Sequence, residues 1–179
     1  MRPREIIPLF DRYLGDREMA FEAIVVGGTA LALLGLIVRE TRDFDVIEPH
    51  LPGVILEASQ AFAKHLGDRG VILRDDWLNN GPSPLADVLP DGWRNRLQML
   101  YRGQAITLWS LGRSELIMSK VFAFCDRGTD LTDCLALQPT TAELGVAASW
   151  LVQQDLHPEW PLHVHSTLGD LARRLGHGL

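Results

Sequence analysis

Two aspartates separated by a single residue, Asp43 and Asp45, are the clearest candidates for chemistry in this sequence. The alternation of polar and apolar residues from 43 to 47 predicts a half-buried strand, on which both carboxylates face the same way, about 6–7 Å apart. At an effective dielectric constant near 20, their charges repel each other by about 2–3 kcal/mol. A divalent cation such as Mg²⁺ would relieve this repulsion, because it binds carboxylate oxygens and nucleotide phosphates. The alternative is a solvated polar strand face without a metal.

A pair of glycines, Gly27 and Gly28, ends a run of four apolar residues and precedes Thr29. This pattern predicts a buried strand that turns tightly into a short helix over residues 29–36, with Thr29 at the cap position. Glycine lets a phosphate approach the backbone closely, and a helix N-terminus offers N–H groups and a positive dipole end. The turn could therefore hold a phosphate, although a tight turn without a ligand explains the same glycines.

Lys120, one of only two lysines in the chain, falls within the apolar side of a helix predicted over residues 114–126 and capped by Ser114. Leu116, Ile117, Val121 and Phe124 mark this apolar side. Lys120 lies four residues after Leu116, three after Ile117 and four before Phe124, which is the spacing of helical neighbours. A buried ammonium group requires a carboxylate or a phosphate nearby. Without such a partner, burial either destabilises the folded protein or makes the group lose its proton. Asp43 or Asp45 would serve. The alternative is a lysine whose stem packs while its head group reaches water.

Other residues are weaker candidates. Arg39 lies just before the aspartate pair, where a guanidinium group could bind phosphate or simply form a salt-bridged turn. Asp130 is the predicted N-cap of a further helix, with Asp133 in its first turn. His163 and His165 could bind a metal from a strand, but no third ligand follows at suitable spacing.

Predicted strands and helices are mixed in the first two thirds of the chain, and the last third is predicted to be helical. The predictions are helices over residues 6–14, 53–66, 140–154 (opened by a capping box from Thr140 to Glu143) and 167–175, a strand over 70–73, a long loop over 75–93, and a hairpin of strands 96–101 and 104–109. We therefore expect an α+β fold in which helices and strands alternate irregularly along the chain (a mixed α/β order). Its small mixed β-sheet would be flanked by helices. Residues 1–112 would form its core, and the helical C-terminal part, 113–179, would pack on it as one structural unit.

Composition narrows the class of protein further. The 179 residues are 46% hydrophobic and carry a formal net charge of -6, which argues against a broad surface for nucleic acid. The two cysteines form no Cys-x-x-Cys pair, no apolar signal core follows the N-terminus, and the longest apolar stretch is too short and mixed to span a bilayer. A reduced cytoplasmic protein without a membrane segment is the expectation.

Four motifs follow one another between residues 24 and 137. They are Val26-Gly27-Gly28-Thr29-Ala30-Leu31-Ala32-Leu33, Arg39-x-Thr41-x-Asp43-Phe44-Asp45-Val46, Glu115-Leu116-Ile117-x-x-Lys120-x-x-Ala123 and Arg127-x-x-Asp130-Leu131-x-Asp133. In this order they resemble the minimal nucleotidyltransferase-like proteins of the polymerase-beta superfamily, especially the AbiEii/AbiGii toxin-like group and its bacterial relatives. The stretch Trp77-Leu78-Asn79 also resembles the sequence of a subset of those relatives.

The resemblance implies transfer of a nucleoside monophosphate from an NTP to a hydroxyl or phosphate acceptor, with pyrophosphate as the leaving group. The acceptor would be RNA or protein, and a toxin–antitoxin or phage-defence role would add a cognate antitoxin as partner. The implied site has Mg²⁺ on Asp43 and Asp45, nucleotide phosphates at Gly27, Gly28 and Thr29, and Lys120, Arg39 and Thr41 nearby.

One feature of such enzymes is missing from the predicted elements. They typically supply a third carboxylate from a later strand, and the predicted strand 104–109 has no acidic residue. Asp75 or Asp76 could replace it from the end of an earlier strand, and Asn79 is a further candidate for the site. If no third carboxylate is present, the protein would be an inactive nucleotidyltransferase fold that serves as a binding or interaction module.

Overall fold

The computed structural model describes residues 2–177, which form an α+β fold. Their strands are β1 (Phe21–Val26), β2 (Phe44–Glu48), β3 (Leu78–Asn79), β4 (Gln98–Arg102) and β5 (Ile106–Ser110). Their α-helices are α1 (Pro3–Gly15), α2 (Gly27–Leu34), α3 (Gly53–Gly67), α4 (Leu85–Val88), α5 (Arg113–Arg127), α6 (Leu131–Leu137), α7 (Thr141–Leu151) and α8 (Trp160–Arg174). The expected mixed sheet with flanking helices and a helical C-terminal part is confirmed.

The chain divides into two compact units. The first unit comprises the chain up to Asp87 together with Arg96–Leu111, and the second comprises Val88–Asn95 together with the chain from Gly112 onward. Strands β1 to β5 all belong to the first unit. No helix within residues 2–177 is both long enough and apolar enough to cross a membrane.

The sheet of the first unit has the order β3-β2-β1-β5-β4. Strand β1 is antiparallel to β2 and parallel to β5, β3 is parallel to β2, and β4 and β5 form an antiparallel hairpin. The register places Val26 opposite Asp45, and Asp45 opposite Asn79. The end of β1, the acidic strand β2 and the short strand β3 therefore meet in one row.

An aromatic cluster fills the core of the first unit. Its rings come from α1, α3, β2 and the residue before β3, and they are Phe10, Tyr13, Phe44, Phe62 and Trp77. The ring of Trp77 is completely buried, and its Nε1 donates a hydrogen bond to the carbonyl oxygen of Ser59. Large rings bury much apolar surface, and this bond satisfies the polar atom that Trp77 takes inside.

The second unit is a helical cluster in which α5 packs with α6, α7 and α8. Phe122 contacts the rings of Trp150 and Trp160, and the capping box between Thr140 and Glu143 is confirmed. The two cysteines are buried and unlinked, and burial raises the pKa of Cys125 to about 11.

Several sequence predictions of local structure are wrong. Residues 70–73 form no strand, and β3 lies instead inside the predicted loop 75–93, because a strand of two residues is too short to show alternation. The last helix begins at Trp160 and not at residue 167, so His163 and His165 lie on a helix and not on a strand.

The predicted helix caps also differ from those in the structure. Val26 and Gly112 are the N-cap residues of α2 and α5, and Thr29 and Ser114 lie inside these helices. Backbone geometry places the first cap three residues, and the second cap two residues, earlier than composition suggested. Asp130 is the N-cap of α6, as predicted, although its side chain makes no capping hydrogen bond.

Candidate functional site

The glycine turn and the acidic pair are adjacent in the structure. Gly27 has a φ of 69°, and a Cβ at this position would lie 2.7 Å from Oδ2 of Asp45. The closeness follows from the β1–β2 register, which pairs Val26 with Asp45 just before the turn. The N-terminus of α2 and the Asp45 carboxylate therefore form one site, and the positive end of the helix dipole favours the negative charge there.

The loop before β2 closes over the second glycine. A Cβ on Gly28 would lie 2.8 Å from Cγ2 of Thr41 and 3.8 Å from a guanidinium nitrogen of Arg39. The Thr29 hydroxyl donates to the carbonyl oxygen of Asp43 at 2.8 Å and lies 3.3 Å from the Thr41 hydroxyl. Thr29 and Thr41 are both buried, so their side chains fix the loop against α2. The structure thus gathers these predicted residues around one turn.

An arginine that the sequence did not suggest lies beside the first aspartate. Nη1 of Arg74 is 3.8 Å from Oδ1 of Asp43, while its Nη2 and Nε donate to the two oxygens of Asp76 at 2.6 and 2.8 Å. This hydrogen bonding lowers the pKa of Asp76 and raises that of Arg74. Asp76 therefore forms a bidentate pair with Arg74, and Arg74 connects it to the acidic strand.

The position beside Asp45 on the neighbouring strand carries an amide. Nδ2 of Asn79 donates to Oδ1 of Asp45 at 3.3 Å, and the Asn79 Oδ1 accepts a hydrogen bond from the N–H of Gly81 at 2.8 Å. Asn79 thus lies beside Asp45, with its donor side toward the carboxylate. Among residues 2–177, no group of three or more His, Cys, Asp and Glu side chains is placed to hold a metal ion.

The two aspartates nevertheless suit one kind of cation. The Asp43 side chain is 36% exposed, and Asp45 is only partly buried. Mg²⁺ is usually held by one or two carboxylates together with water and substrate phosphates. Asp43 and Asp45 match that donor set when a nucleotide completes it. The other metal candidates, His163 and His165, contact the carbonyl oxygens of Cys125 and Pro161.

Lys120 is buried in the second unit, as its position in the apolar stripe predicted. Its Nζ lies 2.7 Å from Oδ2 of Asp133, which is fully buried, and 3.4 Å from Oδ2 of Asp130. These two residues supply the carboxylates that a buried ammonium requires, a role for which the sequence had suggested Asp43 or Asp45. The side chain of Asp130 is directed to Lys120, which explains why this N-cap residue makes no capping hydrogen bond to α6.

Arg74 and the orientation of Asn79 are the features that sequence reasoning missed. Arg74 follows a segment predicted as a strand, and nothing in its local pattern indicates a partner thirty-one residues earlier in the chain. A weak signal was the length of the predicted loop 75–93, because loops that long without secondary structure of their own are usually functional or mobile.

Comparison with known proteins identifies a family. A family model described as a nucleotidyltransferase of unknown function (DUF6036) matches residues 6–138. That range includes the glycine turn, the acidic pair, Asn79 and the Lys120 ion pairs. None of the curated proteins and none of the solved structures with which the chain was compared matches it.

Proposed function

This chain belongs to DUF6036, a family of nucleotidyltransferases of unknown function, and we propose that it transfers a nucleoside monophosphate from an NTP to an acceptor with the help of Mg²⁺. The observation that carries the proposal is the contact of the glycine turn with the acidic strand. A Cβ on Gly27 would lie 2.7 Å from the Asp45 carboxylate. This contact supports the proposal because it would bring a phosphate-binding turn and a pair of metal-binding carboxylates together in one site.

In this proposal each group has a defined task. The N–H groups at the start of α2 and the Arg39 guanidinium bind the phosphates, and Asp43 and Asp45 hold Mg²⁺. The ion, when bound, neutralises charge on the phosphoryl oxygens during in-line displacement of pyrophosphate. For Lys120, the ion pairs with Asp130 and Asp133 support a structural role in the second unit. A contact of Lys120 with phosphate stays a prediction.

The test is transfer of label from α-labelled NTPs to total RNA or total protein, with and without Mg²⁺. We expect incorporation by the wild type only with Mg²⁺, and a loss of at least about a hundredfold in Asp45→Asn, which keeps the size of the side chain but removes its charge. Asp68→Asn, at the exposed end of α3, is the matched control and should leave incorporation unchanged. Equal incorporation by Asp45→Asn and the wild type would refute the proposal.

A second candidate function is a nucleotide-binding or interaction module without catalysis. The observation that favours it is the amide of Asn79 at the strand position beside Asp45, where a third carboxylate would complete the acidic set. Such a module would bind a non-hydrolysable ATP analogue with Mg²⁺ in calorimetry, yet transfer no label. Asn79→Asp would then be expected to create or increase incorporation, whereas an active wild type would exclude this candidate.

A narrower proposal concerns biological role and rests only on the motif resemblance to the AbiEii/AbiGii toxin-like group. The protein would be the toxin of a toxin–antitoxin or phage-defence pair, acting on RNA or protein and neutralised by a cognate antitoxin. Controlled expression should then arrest bacterial growth with the wild type and not with Asp45→Asn at an equal protein level. Normal growth with both would contradict this role.

A further inference from the structure

The sheet face that carries Asp45 also carries a row of large side chains. Residues paired across neighbouring strands point to the same face, and the pairs here are Met99 with Trp109, Trp109 with Ile24, and Ile24 with Glu48. We call these four residues the Trp109 row. The opposite face carries Ala23, Val25 and Leu108, which are buried in the core.

The Trp109 row lies next to the row of the candidate site. Ile24 and Val26 are alternate residues of β1, about 6–7 Å apart along the strand, and Val26 pairs with Asp45. Trp109 on β5 is two strands away from β2, a lateral distance of about 9–10 Å. The indole is therefore displaced from the Asp45 carboxylate by two residues along the strand direction and by two strands across the sheet.

The indole of Trp109 is held in place but not enclosed. Its Nε1 donates to Oε1 of Glu22 at 2.7 Å, and Glu22 is itself exposed. Trp109 is only partly buried, and its neighbour Met99 is 46% exposed. An aromatic ring that is already oriented loses little conformational freedom when another ring stacks on it.

The position of charges around the ring indicates what would stack there. Arg102 pairs with Thr107, which places it on the same face as Trp109, and its side chain is exposed. Along the strand direction, Trp109 lies between Arg102 on one side and the glycine turn beside Asp45 on the other. A base stacked on the ring would thus have the candidate phosphate site on one side and a guanidinium group on the other. Base–aromatic stacking is a common and sequence-tolerant means of holding nucleotides.

We propose that Trp109 is a stacking platform for a nucleobase, either that of the NTP or that of a terminal acceptor nucleotide. The inference rests on the proposed function for the identity of the ligand as a nucleotide. It uses residues that are separate from the acidic pair, so failure of the stacking platform can be distinguished from failure of the proposed function.

The first experiment measures the preference of the full-length protein for a base. Calorimetry in metal-free buffer compares AMP with ribose 5-phosphate, which lacks the base. We expect AMP to bind the wild type at least about tenfold more tightly. Equal affinity for the two compounds would overturn the proposal without the use of any variant.

Variants assign that preference to the ring. Trp109→Leu keeps an apolar side chain and should abolish the preference, whereas Trp109→Phe keeps a ring without the N–H and should retain most of it. Asp68→Asn, at the exposed end of α3, should leave the AMP preference in place. A folded Trp109→Leu protein that still prefers AMP would overturn the assignment.

A spectroscopic readout keeps the proposal testable if Trp109→Leu does not fold. The indole N–H resonance of Trp109, identified by its absence from the spectrum of Trp109→Phe, should shift on addition of AMP and not of ribose 5-phosphate. An unchanged resonance would overturn the proposal. The proposal would also be overturned if the wild type sedimented as a dimer and Trp109→Phe as a monomer. The face that carries Trp109 would then be an interface between copies of the chain.

The source of the base is decided by two further ligands. A non-hydrolysable ATP analogue and a short oligoadenylate are each titrated into the wild type and Trp109→Leu. Weaker binding of the analogue in the variant assigns the platform to the NTP, and weaker binding of the oligonucleotide assigns it to the acceptor. Unchanged binding of both would contradict a nucleobase platform.

Discussion

Lys120 and Asp133 carry opposite charges in the interior of the second unit. Their exposed side-chain fractions are 7% and 0%, and the distance from Nζ to Oδ2 is 2.7 Å. Loss of one partner leaves the other charge buried without compensation. We therefore expect Lys120→Met to lower the free energy of unfolding by about 3–5 kcal/mol in urea titrations.

Lys64→Met is the matched control for this prediction, because Lys64 lies exposed on α3 and its substitution should change stability by less than about 0.5 kcal/mol. The double variant Lys120→Met/Asp133→Leu should recover most of the lost stability, since it removes both charges. Lys120→Met as stable as Lys64→Met would show that the ion pair contributes nothing.

Asp11 joins α1 to the turn between β4 and β5. Its carboxylate accepts hydrogen bonds from the backbone N–H groups of Gln104, Ala105 and Ile106 at 3.0, 2.9 and 2.7 Å. Burial by itself would raise the pKa of Asp11, but these bonds, with one from the Tyr101 hydroxyl, outweigh it and lower the pKa. The ionised form is thus the one that the folded state stabilises.

The stability that Asp11 provides should depend on pH. Because its pKa is lower in the folded than in the unfolded protein, the stabilisation is complete above the unfolded-state pKa of about 4 and is lost as pH falls through the folded-state pKa. We expect Asp11→Asn to lower the free energy of unfolding by about 1–3 kcal/mol at neutral pH, and by less in acid. Urea titrations from neutral to acidic pH measure the difference, with exposed Asp16→Asn as the control. A constant difference at all pH values would contradict the role of the charge.

At the scale of secondary structure, the turn from β1 to α2 is the element on which the candidate site depends. Gly27 has a positive φ, and a Cβ at this position would lie 2.7 Å from Oδ2 of Asp45. We expect Gly27→Ala to lower the free energy of unfolding by about 1–2 kcal/mol from backbone strain. By displacing the Asp45 carboxylate, it should also weaken binding of the Mg²⁺–ATP analogue at least about tenfold.

Gly67→Ala provides the comparison for this substitution. Gly67 ends α3, and nothing lies within 4 Å of its Cβ position. Alanine there should leave nucleotide binding unchanged and stability equal or higher by up to about 1 kcal/mol. Chemical denaturation and calorimetry measure both quantities, and wild-type binding by Gly27→Ala would separate the turn from the site.

The elements differ in how far their own sequence predicts them. Helices α1 and α3 and the β4–β5 hairpin follow from their hydrophobic spacing and turn residues. Strand β3 does not, because its two residues are strand only through pairing with Phe44 and Asp45. The start of α8 was missed because Pro158, Pro161 and three histidines make the segment from 157 to 165 look irregular, although proline is well tolerated in a first helical turn.

For the whole molecule, net charge limits how a polynucleotide acceptor could bind. A formal charge of -6 leaves only local positive groups such as Arg39 and Arg102 to contact phosphates. We expect log Kd for a short oligoadenylate to change with log salt concentration with a slope of about 2 or less, as for two or three neutralised phosphates. Fluorescence anisotropy over a series of KCl concentrations measures this slope.

Arg102→Gln should reduce that slope by about 0.7, the contribution of one contact to a single strand. Arg174→Gln, at the exposed end of α8, should leave it unchanged. A steep slope in the wild type would mean that many phosphates are contacted and would contradict a site with few cationic groups.

The sequence by itself determined the class of fold, the glycine turn, the acidic pair and the unusual burial of Lys120, because periodicity, glycine content and charge spacing are local properties of the chain. Only the tertiary structure decided which groups meet. Asn79 reaches Asp45 across 34 positions, and Asp11 reaches Ala105 across 94. Such contacts depend on strand register and on which helix packs against which hairpin. No local pattern encodes them, and they decide that an amide lies beside Asp45 and that Asp133 pairs with Lys120.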